Sequence, residues 1–221
     1  MPLPNQKDYD YGYEMAYKLA CEQLAGIRDI EVQCRKSGAQ YLEIDAKKVI
    51  VIEYLNRSYL ISLPDIEISL RNSEEAVPIE DKILMLHYLI SAKGTPLSNR
   101  MITYKELPEG ANYFPNFAQR VIKPLIGYFG KEPHRLIDVA GKLGGSSADY
   151  GDAAVTINVF SRVPITFVLW RGDDEFAPRG SIMFDSTIPD YLSTEDINVL
   201  CASIAWKLVR LLGGDNPGRR H

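Results

Sequence analysis

The stretch from Asp29 to Leu70 constrains this chain more than any other feature. Five short segments rich in β-branched and aromatic residues follow one another there: Ile30–Cys34, Tyr41–Ile44, Val49–Leu55, Ser58–Leu63 and Ile66–Leu70. Their hydrophobicity alternates with a period near two, as in half-buried strands. Between them stand Ser37-Gly38, Asp45, Asn56-Arg57 and Pro64-Asp65, residues that favour turns. Parallel strands need crossovers of about a dozen residues or more, and these gaps have no room for one. The segment is therefore predicted to fold as an antiparallel meander of four or five strands.

Helical patterns surround it. Asp10 to Ala25 places Tyr13, Tyr17, Ala20 and Leu24 on one face and stops at Gly26, an amphipathic helix. Tyr9, Tyr11, Tyr13 and Tyr17 can stack on a ligand, although half-buried rings with wet hydroxyls are the ordinary reading. Pro78 opens a helix over Ile79–Ala92 that ends at Gly94, with Ile79, Ile83, Leu86 and Ile90 facing the core. Beyond it the pattern alternates: a strand at Met101–Leu107, helices near Phe114–Phe129 and Pro133–Leu143, and strands at Ala153–Phe160, Ile165–Trp170 and Ser181–Asp185. A closing helix over Thr194–Leu212 carries Ile197, Leu200, Ile204, Leu208 and Leu211 as its core stripe. The expected class is α+β: an early antiparallel meander, with helices packed against a mixed or antiparallel sheet. The expected organisation is an N-terminal helix over 1–26 packed on a single domain over 27–213, then a frayed tail over 214–221. A chain of 221 residues buries about 70% of its unfolded surface, enough for a core without disulfides or a structural metal.

Charge and rare residues exclude several functions. A net charge of −4 provides no basic field to recruit nucleic acid or anionic lipid. The longest apolar runs, such as Val49-Ile50-Val51-Ile52, are far short of the ~20 residues that span a bilayer. The N-terminus has no apolar signal stretch, so a cytoplasmic location is expected. Cys21, Cys34 and Cys201 are widely spaced and odd in number, which fits reduced, buried thiols rather than a disulfide framework. No C-x-x-C exists, and His87, His134 and His221 form no metal-binding pair, so no metal site is assigned. The cofactor and the oligomeric state stay open, and a small molecule or a protein remains the class of partner.

The sharpest local features are acidic, aromatic and glycine-rich. Trp170-Arg171-Gly172-Asp173-Asp174-Glu175-Phe176 follows an apolar strand and gathers three carboxylates on a turn, an arrangement able to attract a cation. The plainer reading is a solvated turn anchored by Trp170 and Phe176. The glycine-rich run from Gly141 to Asp152 lacks the order of a phosphate-binding loop, because its lysine precedes the glycine pair. Gly144 and Gly145 read as a helix C-cap, and the run reads as a loop or lid carrying Asp149 and Asp152. Asp185 ends a strand, where a side chain can point into a crevice. Ser193, Thr194, Glu195 and Asp196 suit the start of the last helix as caps. Tyr113 belongs to an aromatic helix entry near Lys105 and Arg120, the nearest cations for a substrate carboxylate. The candidate ligand-binding set is Trp170, Asp173, Glu175, Asp185, Asp152 and Tyr113, with no catalytic residue assigned.

The chain resembles a bacterial and archaeal family catalogued as domain of unknown function 3786. The resemblance rests on Ile102-Thr103-Tyr104-Lys105-Glu106-Leu107-Pro108-Glu109-Gly110, Gly151-Asp152-Ala153, the stretch from Pro164 through Phe176, Phe184-Asp185 and Tyr191-Leu192-Ser193-Thr194-Glu195-Asp196. It extends over roughly Leu24 to Leu212, and its most specific block is W-x-G-D-x-E-F. The resemblance carries no established activity. It implies a context: some relatives join this domain to a cysteine-rich iron–sulfur module in anaerobes with corrinoid and one-carbon metabolism. The three cysteines here make no such module, so an iron–sulfur role requires a partner. Two function classes follow. One is a non-catalytic ligand- or partner-binding accessory module. The other is a hydrolase assisted by a divalent metal, with Asp173 and Glu175 as ligands or base and Asp152 and Asp185 in support.

Overall fold

The turns between the early strands are short enough to dictate the pairing, and the computed structural model, which describes residues 6–44 and 47–213, has the meander. Strands β1 (Gln40–Ile44), β2 (Lys47–Tyr54), β3 (Arg57–Leu63) and β4 (Glu67–Leu70) pair antiparallel in sequence order. Tyr54 pairs with Arg57 across a two-residue loop in which Leu55 and Asn56 both have positive φ, 49° and 61°. That is the backbone of a primed hairpin turn, whose twist matches the flanking strands. Register places Ile50 opposite Ile61 and Ile61 opposite Ile68, and all three are buried.

Three helices complete this first compact unit, which comprises the chain up to Pro96 together with Asp190–Leu192. They are α1 (Gln6–Ala25), α2 (Ile30–Ser37) and α3 (Ile79–Ser91). α1 packs along α3, and the Tyr17 hydroxyl donates to the Ile66 carbonyl at 3.0 Å. The start of α3 is fixed to β2 where the Tyr54 hydroxyl donates to Asp81 at 2.8 Å, both side chains buried. The returning segment 190–192 adds Tyr191, whose ring stacks on Tyr88 and whose hydroxyl donates to the Thr95 carbonyl.

The second unit, Leu97–Pro189 with Ser193 onward, is built on a five-stranded antiparallel sheet. Its strands are β5 (Met101–Thr103), β6 (Gly145–Ala148), β7 (Ala153–Phe160), β8 (Val163–Trp170) and β9 (Arg179–Asp185), in the order β5-β9-β8-β7-β6. Central β8 buries Ile165, Thr166, Phe167, Val168 and Leu169 in succession, so both its faces are covered. Around the sheet lie α4 (Gly110–Phe117), α5 (Lys123–Phe129), α6 (His134–Ala140) and α7 (Thr194–Leu212). α7 begins in a reciprocal cap: Ser193 Oγ accepts from the Asp196 amide at 3.1 Å, and the Asp196 carboxylate accepts from Ser193. The α+β class holds, and both sheets are antiparallel.

Several expectations are corrected. Ile30–Cys34 is not a strand; it is most of α2. Asp29 accepts from the Val32 amide at 2.9 Å, Gly38 closes the C-terminus at φ 76°, and Gln33, Cys34 and Ser37 are the buried positions. The strand from Met101 stops at Thr103, because Glu106 accepts from the Thr103 amide at 2.7 Å and winds residues Tyr104–Glu106 into a 3₁₀ turn. The helix expected over Phe114–Phe129 starts earlier and divides into α4, a π-helical turn over Ala118–Ile122, and α5. Pro124 has no amide to continue the ladder, and Lys123 reaches back to the Ala118 carbonyl instead. The helix expected through Leu143 ends at Ala140 and tightens into a 3₁₀ turn over Gly141–Leu143, closed by Gly144 at φ 73°. The expected loop that follows contains β6, held as a strand by pairing with β7. The turn at Asp45, residues 1–5, the Tyr9 side chain and the tail 214–221 with His221 lie outside the described residues. Among the described residues, no helix is long and apolar enough to cross a membrane.

Gln33 is the polar anchor of the first unit. Its Nε2 faces the carbonyls of Leu89, Ile90 and Ala92 at 2.7, 3.0 and 2.9 Å, which satisfies the end of α3 inside the core. Gln33→Ala strands those carbonyls and opens a void, so it is expected to cost roughly 2–3 kcal/mol. Urea denaturation followed by circular dichroism measures this; a midpoint equal to the parent's would refute the anchoring role.

Candidate functional site

Two glycines and two aspartates shape the end of the second sheet where Trp170 sits. β8 delivers Trp170 opposite Arg179, whose guanidinium lies 5.8 Å from the Trp170 ring centroid. Gly151, at φ 55°, passes so close beneath that an added Cβ would stand 2.7 Å from the Leu169 carbonyl oxygen and 3.3 Å from the indole. The next residue closes a ring of backbone bonds: Asp152 N–H donates to the Leu169 carbonyl at 2.9 Å, and its carboxylate accepts from the Arg171 amide at 2.7 Å. Asp152 thus fastens the exit of β8 to the entry of β7.

The acidic turn is built the same way. Asp173 Oδ1 accepts from the amides of Glu175 and Phe176 at 2.9 and 2.7 Å, and Asp173 N–H donates to the Phe176 carbonyl at 2.9 Å. Gly172 is pressed against Pro178, where an added Cβ would come within 2.5 Å of the ring. The turn is therefore rigidly self-bonded. Asp174, Glu175 and Phe176 are what it displays, and the Phe176 side chain is 68% exposed. Tyr150, also exposed, belongs to the neighbouring β6–β7 connection.

Asp185 stands apart from these carboxylates. It pairs with Met101 at the far end of β9, whereas Arg179 pairs with Trp170, so the length of β9 separates it from the turn, roughly 20 Å. Its carboxyl is only 4% exposed and accepts five hydrogen bonds: from the amides of Ser98 (3.1 Å), Asn99 (2.7 Å) and Thr187 (3.0 Å), and from the hydroxyls of Ser98 (2.9 Å) and Thr187 (2.7 Å). Burial disfavours its charge, but the donors from Thr187 and Ser98 outweigh that and hold the pKa down to about 2. Its carboxylate oxygens are engaged by the loop it organises.

Tyr113 is carried by α4, exposed, beside a stack of Tyr104 on Phe117 at 3.9 Å, while Lys105 lies 4.2 Å from the Phe114 ring centroid. The structure thus brings together Trp170, Asp152, Asp173 and Glu175 at one sheet end, and places Asp185 at the other. Among the described residues no three His, Cys, Asp or Glu side chains group as metal ligands. Cys34 and Cys201 are buried, and burial pushes the Cys34 thiol up to about 11 and that of Cys201 further still, so both act as apolar side chains.

Asn198 is a buried polar residue that the sequence reading passed over. It lies on the buried side of α7, and its amide donates to Asn116 at 3.1 Å. Tyr104 gives its hydroxyl proton to the Thr194 carbonyl at 3.3 Å, which leaves Asn198 Oδ1 without a hydrogen-bond partner among the described residues. A lone asparagine between Ile197 and Leu200 in an apolar stripe was the available signal.

These features define an α+β protein that uses its own carboxylates to scaffold an exposed aromatic and acidic turn. The chain belongs to the family described as Domain of unknown function (DUF3786), whose model matches residues 29–206. No curated protein and no solved structure matches it.

Asp185 makes the second unit acid-sensitive. Because its pKa is depressed from 3.8 to about 2, the stability it contributes is complete above its ordinary value and is lost as pH falls through about 2. Asp185→Asn removes the charge-assisted bonds, with an expected loss of roughly 2–3 kcal/mol at neutral pH. The variant should also lack this component of the acid limb between about pH 4 and 2. Denaturant midpoints across that range check both, and parallel acid limbs in parent and variant would contradict the assignment.

Proposed function

We propose that this protein is a non-catalytic binding module that engages a protein partner through the Trp170–Phe176 turn. The observation that supports it most is the exposure of Phe176 at the tip of a turn whose rigidity comes from Asp152 and Asp173. Holding an apolar ring out in water has no folding benefit, and a pre-ordered turn loses little entropy on docking. Asp174 and Glu175 flank the ring, so the matching surface is an apolar pocket rimmed by lysine or arginine. The family resemblance supplies the context of an accessory protein in anaerobic corrinoid or iron–sulfur metabolism, with the metallocentre on the partner. The hydrolase alternative requires Asp152, Asp173 and Asp185 to converge in one cleft. Asp185 at the opposite end of β9 weighs against it.

Immobilised full-length chain is expected to retain a defined partner from an anaerobe's lysate, and Phe176→Ala with Glu175→Gln is expected to reduce capture at least tenfold while leaving the melting temperature unchanged. Undiminished capture by the double variant would move the contact elsewhere. Turnover of any compound in a metabolite panel by the purified protein would overturn the non-catalytic reading.

A further inference from the structure

Two irregularities of the second unit meet where α7 packs on α4 and on the π-helical turn that follows it. Asn198 is only 8% exposed, in the apolar stripe of α7, and its Oδ1 has no partner among the described residues. Turning the carboxamide over exchanges an unmatched acceptor for an unmatched donor, so the deficit belongs to the position. The π-helical turn, Ala118–Ile122, is a rare form that collects at functional sites. Along α4 and this turn Tyr113, Asn116 and Arg120 recur every three or four residues, and so share one side. Asn116 is exposed, and its Oδ1 accepts from Asn198 Nδ2 at 3.1 Å. Tyr113 is 53% exposed, and Arg120 is exposed with no ion pair among the described residues. Both lie within electrostatic reach of the buried Tyr104 hydroxyl: burial pushes its pKa up and Tyr113 adds to that, while Asn198 and Arg120 oppose it. A buried amide, a guanidinium and an aromatic ring thus surround one polar point inside an apolar seam.

We propose that this seam binds a small anionic molecule that carries a flat donor–acceptor edge, an amide or a nucleobase. Asn116 is the plug. Among the described residues its side chain is held only by the bond to Asn198, so swinging it into water uncovers the whole Asn198 carboxamide. Nδ2 then donates to the ligand's acceptor and Oδ1 accepts from the ligand's N–H, the paired contact by which a carboxamide reads a base edge. The flat group lies against the Tyr113 ring, and Arg120 takes the phosphate or carboxylate. The bound state therefore supplies the partner that Asn198 Oδ1 lacks. A nucleoside monophosphate and an N-acyl amino acid both carry this chemistry.

Isothermal titration calorimetry on the full chain tests this, with AMP in one arm and N-acetylglycine in the other. At least one arm should show saturable one-to-one binding at submillimolar concentration, and the arm that binds identifies the source. Arg120→Gln should weaken that binding about tenfold, and should leave the affinity for the uncharged counterpart, adenosine or N-acetylglycine amide, unchanged. Asn198→Leu should abolish binding while the melting temperature rises, because the unmatched oxygen is gone. Asn116→Ala removes the plug and should bind at least as tightly as the parent. Arg120 and Asn116 are exposed, so these two variants decide the matter even where Asn198→Leu fails to fold. No saturation in either arm at millimolar ligand, undiminished binding by Arg120→Gln, or binding lost in Asn116→Ala overturns the proposal.

Discussion

A buried carboxylate that keeps its charge governs the architecture of the second unit. Asp185 is removed from water, a state that costs several kcal/mol for an unpaired ion. Five donors replace its hydration shell, and three of them come from Ser98 and Asn99, far away in sequence. Where Asp185 sits, residues 98 and 99 must follow, and β5 then enters the sheet in register, with Met101 opposite Asp185. Asp190 does comparable work in the first unit, gripping Lys93 at 2.8 Å and Thr95 at 2.7 Å. The stretch at which the chain passes from one unit to the next is thus fastened on each side by an aspartate.

The same economy runs through the other acids. Asp29 caps α2, Asp196 caps α7, Glu106 turns the chain after β5, Asp152 ties two strand ends, and Asp173 closes its own turn. Each accepts from backbone amides that would otherwise lack a partner, which is why short polar side chains concentrate where elements begin. A group held this way is a poor general base, because moving it dissolves the turn it supports. What the acidic turn has left for the outside world is Asp174, Glu175 and the ring of Phe176.

Much of this was legible in the sequence, for physical reasons. The meander could be read because gaps as short as Asn56-Arg57 admit only hairpins, and α3 and α7 because long apolar stripes repeat at helical spacing. α2 was not, since Ile30, Val32 and Cys34 alternate as a strand would; the decisive evidence was at its ends, in Asp29 and Gly38. β6, with the sequence Gly-Ser-Ser-Ala, has no strand propensity and exists because β7 offers a free edge. The position of the Trp170 turn was visible, but the use of its carboxylates was not: Asp173 and Glu175 look alike in sequence, and only turn geometry makes the first a scaffold and the second a displayed group. Asp185 could be suspected of facing a crevice because its donors, Ser98 and Asn99, are brought to it by tertiary structure alone.

The interleaving of the two units has a consequence for the order in which the protein is made. Tyr191 completes the first unit by stacking on Tyr88, yet the ribosome makes it about a hundred residues later, after the whole sheet of the second unit. At roughly 5–20 residues per second, the meander and its helices wait on the order of ten seconds for their last aromatic ring. The nascent first unit is therefore an unfinished core during synthesis of the second, and the two become independent of their order only once residue 192 has emerged.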